Sequence, residues 1–153
     1  MKRAIICDID QCLLNSLVPV EMKNIAKNFG QGLTEKQIWD NFYNNLHLCK
    51  RNEWCFELIE QMTLNNNIKV IFITGREERA REATEDYFKF SHPIDWELHM
   101  RPNGCLDEDV IIKSNIMKEL IGQYEFIFAL DDREANCKVY QAFGITTLQV
   151  TSA

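Results

Sequence analysis

The sequence has little of several features, and each shortage narrows what the protein can be. It contains three prolines and six glycines in 153 residues and no low-complexity tract, so we predict no linker between domains. Its apolar runs are far shorter than the ~20 residues of a membrane-spanning helix. Lys2 and Arg3 precede a very short apolar run that Asp8 interrupts, so we expect no signal peptide and a cytoplasmic location.

Positive charge is also scarce. Lys and Arg number 17 against 23 Asp and Glu, and the net charge of −6 argues against coating nucleic acid through a broad basic face. This net charge still allows the protein to bind a single phosphorylated end. The six cysteines form no C-x-x-C pair, and His47, Cys49 and Cys55 lack a fourth ligand at a familiar zinc spacing. We therefore expect reduced thiols.

What the sequence does contain is an alternation of short apolar runs and helical patterns. The runs predict strands at residues 4–7, 70–73, 96–100, 126–130 and 146–150. Between them, apolar stripes at helical spacing predict helices that end near Asn65, Gly122 and Gly144. The alternation predicts an α/β fold, a doubly wound parallel sheet with helices on both faces, as a single domain over residues 1–153.

Residues 16–50 do not fit this alternation. They predict two short helices, roughly 20–29 and 34–46, as a small helical insert over the edge or top of the sheet. The second helix carries an apolar stripe, for which core packing is the first interpretation and a base-stacking face the alternative. The stripe consists of Ile38, Trp39, Phe42, Tyr43 and Leu46.

Charged and hydroxyl side chains follow four of the predicted strands. Because ligands of open parallel sheets bind outside the carboxyl ends of the strands, we predict that these side chains share one crevice. The acidic members are Asp8, Asp10, Asp131 and Asp132. The candidates for contact with substrate are Thr74, Gly75, Arg76, Arg101 and Lys113.

Four carboxylates in one crevice require a compensating cation. A like-charge pair ~4 Å apart costs ~4 kcal/mol at a surface-like effective dielectric, and Mg²⁺ accepts carboxylate, water and phosphate oxygens. The lysine and arginines suit a phosphate, to which a helix starting near Arg76 would also present N–H groups. Either a carboxylate or a metal-activated water could attack phosphorus.

The doublet Asp8-x-Asp10 favours attack by a carboxylate. Residues i and i+2 of a strand share a side, so Asp8 can attack while Asp10 protonates the departing oxygen. We expect neighbouring carboxylates to raise the pKa of Asp10, as this role requires.

The order of the motifs resembles the haloacid dehalogenase (HAD) superfamily of Mg²⁺-dependent phosphatases, over essentially the whole chain. Three segments resemble more closely the 3′-phosphatase domain of bacteriophage-type polynucleotide kinases: Thr74-Gly75-Arg76-Glu77, residues 98–101 and residues 130–133. The resemblance implies an aspartyl-phosphate on Asp8, with Asp10 as general acid and then base. It further implies that Thr74 and Lys113 hold the phosphate, while Arg76 and Arg101 bind substrate phosphate.

The resemblance also implies that the metal is held by Asp8, the backbone carbonyl of Asp10 and the pair Asp131-Asp132. Gln11 and Cys12 depart from the Gly-Thr that is usual after the second Asp. Glycine lets the backbone approach a phosphate closely, so Gln11 affects the contact between backbone and phosphate. Threonine supplies a hydroxyl donor, so Cys12 affects the orientation of Asp10. No G-x-x-x-x-G-K-[ST] loop of a kinase is present.

These features predict a Mg²⁺-dependent phosphomonoesterase that removes 3′-phosphates from nucleic acid ends. The alternatives are a nucleotidase acting on free nucleotides and a phosphate-binding module with weak catalysis. The receiver domain of a response regulator is another acidic α/β fold that binds Mg²⁺. It would place its threonine after the fourth strand, whereas Thr74 follows the second. The expected partners are a phosphorylated nucleic acid end or nucleotide and a separate kinase or ligase, without a membrane.

Overall fold

The computed structural model describes residues 1–151 and has seven strands and six α-helices in that range. In chain order, the strands are β1 (Lys2–Cys7), β2 (Leu14–Asn15), β3 (Lys50–Arg51), β4 (Ile68–Glu77), β5 (Asp95–Arg101), β6 (Tyr124–Asp131) and β7 (Thr147–Gln149). The helices are α1 (Leu17–Phe29), α2 (Glu35–Tyr43), α3 (Glu53–Thr63), α4 (Arg81–Glu85), α5 (Asp109–Leu120) and α6 (Glu134–Ala142). Short 3₁₀ turns lie at Leu46–Leu48 and Glu78–Ala80.

The main sheet has the strand order β5-β4-β1-β6-β7, and all its pairings are parallel. β1 lies at the centre, and the chain winds outward from it first on one side and then on the other. The strands predicted from the apolar runs are all present, and the doubly wound α/β fold is confirmed. The topology brings the carboxyl ends of β1, β4 and β6 next to one another.

Alternate residues of the central strand pack on opposite faces of the sheet. Ile5 and Cys7 belong to the larger buried cluster, which includes Phe56 and Ile59 of α3. Ala4 and Ile6 face a second cluster built with α5 and α6. This period of two follows from the pleat of a strand, and it explains why the central strands read as continuous apolar runs. Both faces of the sheet are therefore covered by helices.

The predicted helix ends are confirmed where glycine permits an unusual backbone. Gly122 and Gly144 have φ angles of +86° and +79°, in the left-handed region that favours glycine, just beyond α5 and α6. The start of α2 is stabilised by a capping box, in which the side chains of Thr34 and Gln37 each accept from the other's backbone N–H.

Residues 16–50 contain the two predicted helices, α1 and α2, which pack against each other. The antiparallel pair β2–β3 closes this segment at its base, with Leu14 opposite Arg51. This pair was not predicted, because strands of two residues carry no readable periodicity. Of the apolar stripe on the second helix, Phe42 and Leu46 are buried in the larger core cluster, as core packing predicts.

No helix within residues 1–151 is long and apolar enough to cross a membrane.

Candidate active site

Lys113 lies at the centre of the site, although it is fully buried. It belongs to α5, and its Nζ donates to Asp8 Oδ1 at 3.1 Å and to Asp131 Oδ2 at 2.6 Å. Burial alone would lower the pKa of Lys113, but Asp8 and the other neighbouring acidic groups raise it well above its ordinary value. The lysine therefore stays charged and joins the ends of β1 and β6.

Three carboxylates converge beside this lysine. Asp8, Asp131 and Asp132 each place an oxygen within 4.8 Å of the other two. Burial raises the pKa of both Asp8 and Asp132, and the negative charge of Asp131 raises both further. The positive charge of Lys113 alone therefore does not neutralise the three carboxylates. A cluster of hard oxygen donors that lacks positive charge fits Mg²⁺.

Asp10 lies outside that cluster and is instead paired with Arg76. The guanidinium Nε lies 3.1 and 3.0 Å from the two carboxylate oxygens, and Nη2 lies 2.6 Å from Oδ1. The hydroxyl of Ser16 also donates to Asp10 Oδ1. Burial would raise the pKa of Asp10, but Arg76 and Ser16 lower it below its ordinary value. The predicted rise was wrong, because the nearest charge is an arginine rather than a carboxylate.

The structure places Arg76 behind Asp10, with 2% of its surface exposed. Its Nη1 donates to Thr84 at 2.9 Å, so its remaining donor groups are also turned into the protein. This placement argues against the expected direct contact between Arg76 and a substrate phosphate. The helical structure expected near Arg76 begins after it, with the 3₁₀ turn at Glu78–Ala80 and then α4, because β4 continues to Glu77. The Arg76 N–H itself donates to Thr74 Oγ1 at 3.1 Å.

Arg101 braces the same edge of the sheet. Its Nε donates to the carbonyl of Gly75 at 2.9 Å, and its Nη1 donates to the carbonyls of Cys105 and Asp107. Gly75 itself lies so close to Asp109 that an added Cβ would be 2.2 Å from the carboxylate Oδ1. A side chain at position 75 would therefore displace the Asp109 carboxylate.

Asp109 is a residue that the sequence reasoning missed. It begins α5, one helical turn before Lys113, and its carboxylate lies 3.8 Å from the lysine Nζ. Its Oδ2 also accepts from Asn136 at 2.8 Å and lies 3.6 Å from the exposed guanidinium of Arg133. The i, i+4 spacing of Asp109 and Lys113 places both on one helix face, and this signal could have identified the pair.

The two departures after Asp10 now have a structural description. Gln11 has a φ of +61°, the left-handed conformation that glycine adopts freely, and its side chain accepts from the Ser16 N–H at 3.2 Å. Cys12 is fully buried beside Cys7. The hydroxyl that threonine would supply comes from Ser16 instead, four residues further along the chain.

A cavity of about 380 Å³ opens in front of these groups. It is lined both by carboxylates at the strand ends and by aromatic residues of α2. The lining includes Asp8, Asp10, Asp132, Arg76, Arg101, Asp109, Trp39, Phe42 and Tyr43. The structure thus brings most of the predicted residues to one cavity, with Lys113 and Asp131 buried behind Asp8.

Residues 33–153 match a protein family described as the polynucleotide kinase PNKP phosphatase domain. The chain belongs to this family. It is a phosphatase domain of the haloacid dehalogenase superfamily, as the sequence motifs predicted. No curated protein matches the chain.

Several solved structures resemble the domain. A chain of the Pnkp1/Rnl/Hen1 RNA repair complex aligns with a TM-score of 0.72 and 25% identity over 98% of this chain. The domain spans 42% of that longer chain. A haloacid dehalogenase-like hydrolase from Streptococcus pneumoniae has a TM-score of 0.66 and 14% identity over 97% of this chain and 84% of its own.

A HAD family enzyme from Bacteroides thetaiotaomicron, solved in complex with magnesium and inorganic phosphate, also resembles the domain. It has a TM-score of 0.56 and 15% identity, over 99% of this chain and 95% of its own. At this level of identity, the similarity to both bacterial enzymes establishes the fold.

Proposed function

We propose that this domain is a Mg²⁺-dependent phosphomonoesterase that removes 3′-phosphates from nucleic acid ends through an aspartyl-phosphate on Asp8. The observation that carries the proposal is the arrangement around Asp8. This buried carboxylate contacts Lys113 and lies in a cluster with Asp131 and Asp132, while a second carboxylate, Asp10, is held separately by an arginine. A nucleophile and a proton carrier with different partners are what a two-step phosphoryl transfer requires.

In the first step, Asp8 attacks phosphorus, while the charge of Lys113, whose Nζ donates to Asp8 Oδ1 from behind, stabilises negative charge that develops on the phosphoryl group. Mg²⁺ held by Asp8, Asp131 and Asp132, with the Asp10 carbonyl as a further proposed ligand, would neutralise part of the same charge. The Thr74 hydroxyl, which accepts from the Arg76 N–H and keeps its own hydrogen, is the proposed donor to the phosphate. Arg101 fixes the carbonyl of Gly75 and so shapes this edge of the cavity.

Asp10 transfers protons in both steps. The incoming phosphate is negatively charged, so it favours the protonated form of Asp10, which then donates to the departing oxygen. In the second step, an ionised Asp10 accepts a proton from the water that hydrolyses the aspartyl-phosphate. The low pKa that Arg76 and Ser16 impose suits this return to the ionised state.

The family and one structural relative support a nucleic acid substrate. The matched family is the phosphatase domain of a polynucleotide kinase, and the longer relative was solved in an RNA repair complex with Rnl and Hen1. We infer that the domain acts on the ends of nucleic acids beside a kinase or a ligase. The magnesium and phosphate bound to the relative from Bacteroides thetaiotaomicron support the proposed cofactor.

A substrate panel tests the proposal. The kcat/KM should be highest for a short oligonucleotide with a 3′-phosphate, lower for the same oligonucleotide with a 5′-phosphate, and lower for free nucleotides. Asp8→Asn should abolish turnover of every substrate, because an amide cannot form the acyl phosphate. Equal or better kcat/KM on free nucleotides would overturn the nucleic acid assignment in favour of a nucleotidase, and an inactive wild-type domain would indicate a phosphate-binding module.

A further inference from the structure

The catalytic cavity has an aromatic wall, which we define as Trp39, Phe42 and Tyr43 of α2. These residues line the same cavity as Asp8 and Asp132. The phosphoryl transfer described above needs carboxylates, a lysine and a cation, and none of its steps uses an apolar surface. The wall is therefore available to contact a part of the substrate other than the phosphate.

The three rings have different surroundings. Phe42 is 4% exposed and packs edge-on against both of its neighbours, with ring centroids 5.7 Å from Trp39 and 5.2 Å from Tyr43. Tyr43 is fixed by the Glu77 N–H, which donates to its hydroxyl at 2.9 Å, and Arg79 covers its ring at 4.1 Å. Trp39 is partly exposed, with Lys23 Nζ 4.3 Å from the centroid of its ring, and it lines both this cavity and an adjoining one of about 140 Å³. Trp39 is therefore the ring best placed to meet a ligand.

Most of the positive charges near the wall already have partners. Arg76 is paired with Asp10, Arg101 donates to backbone carbonyls, and Arg79 pairs with Asp40. Arg133 lies 3.6 Å from Asp109, and Lys23 lies over the Trp39 ring. The same two cavities are bordered by acidic side chains, namely Glu35, Glu77, Asp107 and Glu108. Because acidic side chains border both cavities, stacking and burial favour an uncharged flat group at the wall over a second anionic one.

We propose that the aromatic wall, through Trp39, stacks on the nucleobase of the terminal nucleotide whose phosphate lies at Asp8. This inference rests on the proposed function for the position of the phosphate. A flat, uncharged π surface suits an acidic cavity with an aromatic side, and stacking accepts every base because each has a π face. Base stacking on one aromatic side chain changes affinity by about tenfold or more. The domain would thus recognise a nucleoside without a basic surface.

The experiment measures how much a base contributes to turnover. The kcat/KM for a deoxynucleoside 3′-monophosphate is divided by that for the abasic deoxyribose 3-phosphate, in wild type and variants. We expect the wild-type ratio to exceed tenfold, Trp39→Ala to bring it close to one, and Trp39→Phe to retain most of it. Trp54→Ala is the matched control, because Trp54 is an exposed tryptophan of α3 outside this cavity. A ratio that Trp39→Ala leaves unchanged would overturn the proposal.

A binding readout separates stacking from loss of structure and from the assignment of the reaction. Adenosine, which has no phosphate, should quench tryptophan fluorescence in wild type and Trp54→Phe but not in Trp39→Phe. The base ratio is also measured on a nucleoside 5′-monophosphate against ribose 5-phosphate. If 5′-phosphates prove the better substrates and the ratio still depends on Trp39, the proposed function fails while the stacking inference stands. Absence of both quenching and a base ratio in wild type refutes the stacking.

Discussion

Arg76 holds both carboxylate oxygens of Asp10, with nitrogen–oxygen distances of 2.6 to 3.1 Å, and it does so from a position with 2% exposed surface. A fork of this kind fixes the plane of the carboxylate as well as its charge. Arg76 therefore positions the proton carrier of the proposed reaction. Its contribution to turnover is indirect, because the guanidinium faces Asp10 and Thr84 rather than the cavity floor at Asp8.

We predict that Arg76→Lys lowers kcat by roughly tenfold to a hundredfold for substrates with poor leaving groups, because a lysine cannot keep both oxygens in place. The loss should be much smaller for an activated aryl phosphate, whose leaving group needs no proton. The two kcat values, measured on the same preparation, check this. Equal losses on both substrates would place Arg76 at the phosphate and contradict the positioning role.

We predict that Arg76→Gln lowers the free energy of unfolding at pH 7 by roughly 2 kcal/mol, since it leaves the partly buried Asp10 carboxylate without its partner. Arg76 lowers the folded-state pKa of Asp10, so this stabilisation is complete above the ordinary carboxyl pKa and is lost as the pH falls through the lowered value. Urea unfolding at pH 7 and below about pH 4 checks the sign. Arg79→Gln, which breaks a more exposed pair with Asp40, is the control and should cost under ~1 kcal/mol.

The sequence predicted the residues of the site better than their pairing. Each strand end delivers its side chain to the same edge of the sheet, so Asp8, Asp131 and Lys113 could be placed together from the order of the motifs. The pairing of Asp10 with Arg76 could not be read in this way, because a long side chain can reach several partners and its direction depends on what covers it. The covering comes from residues 16–50, whose packing no local pattern specifies.

The hydrogen bond between Ser16 and Asp10 could not be predicted from the sequence either. Nothing in the spacing of Ser16 marks it as a partner of Asp10, and the missing threonine at Cys12 suggested that the hydroxyl was lost. We predict that Ser16→Ala lowers kcat on poor leaving groups about tenfold and raises the pKa of Asp10, because a hydrogen bond to the ionised form is removed. Adding Cys12→Thr should not restore the rate, since Cys12 packs beside Cys7 in the core. Recovery of kcat in the double variant would contradict this assignment.

Gln11 occupies a backbone conformation that suits glycine, at a φ of +61°. Replacing it with glycine relieves about 1 kcal/mol of strain but removes the hydrogen bond from Ser16 N–H, which is worth a similar amount. We therefore predict that Gln11→Gly changes the free energy of unfolding by less than ~1 kcal/mol. Gln11→Val should cost ~2 kcal/mol, because a β-branched residue tolerates positive φ poorly and also lacks the acceptor. Chemical denaturation of the three proteins checks the order.

The carboxylate cluster predicts a specific response to metal. Mg²⁺ should raise the melting temperature of the wild-type domain, because it relieves repulsion among Asp8, Asp131 and Asp132. Asp132→Asn should abolish most of this shift, whereas Asp107→Asn, an acidic residue of the cavity rim outside the cluster, should retain it. Turnover should vanish in excess chelator and return with Mg²⁺, with Ca²⁺ a poor substitute because of its looser coordination. Full activity in excess chelator would refute metal dependence.

Core packing is the first interpretation of the apolar stripe in residues 38–46, and the structure gives its members different surroundings. Leu46 and Phe42 are buried, as that interpretation requires, while Phe42 also lines the cavity together with the partly exposed Trp39. A helical stripe shows which residues share one face of a helix. Here one part of that face packs against the core and another part lines the cavity. Sequence periodicity alone cannot locate that boundary.

Gly75 and Asp109 provide a test of the site that touches neither the nucleophile nor the proton carrier. A Cβ at position 75 would lie 2.2 Å from Asp109 Oδ1, so Gly75→Ala must displace a carboxylate that lies 3.8 Å from Lys113 and 3.7 Å from Arg101. We predict a fall in kcat/KM of at least tenfold for all phosphoesters, activated or not, with little change in melting temperature because the movement is confined to one side chain.

Asp109→Ala should compensate for the effect of Gly75→Ala. Asp109→Ala removes the carboxylate that the new methyl group would strike, so the double variant with Gly75→Ala should be no less active than Asp109→Ala alone. Steady-state kinetics on one oligonucleotide and one aryl phosphate, for both single variants and the double variant, measure this coupling. Additive losses in the double variant would show that alanine at position 75 acts on the substrate directly rather than through Asp109.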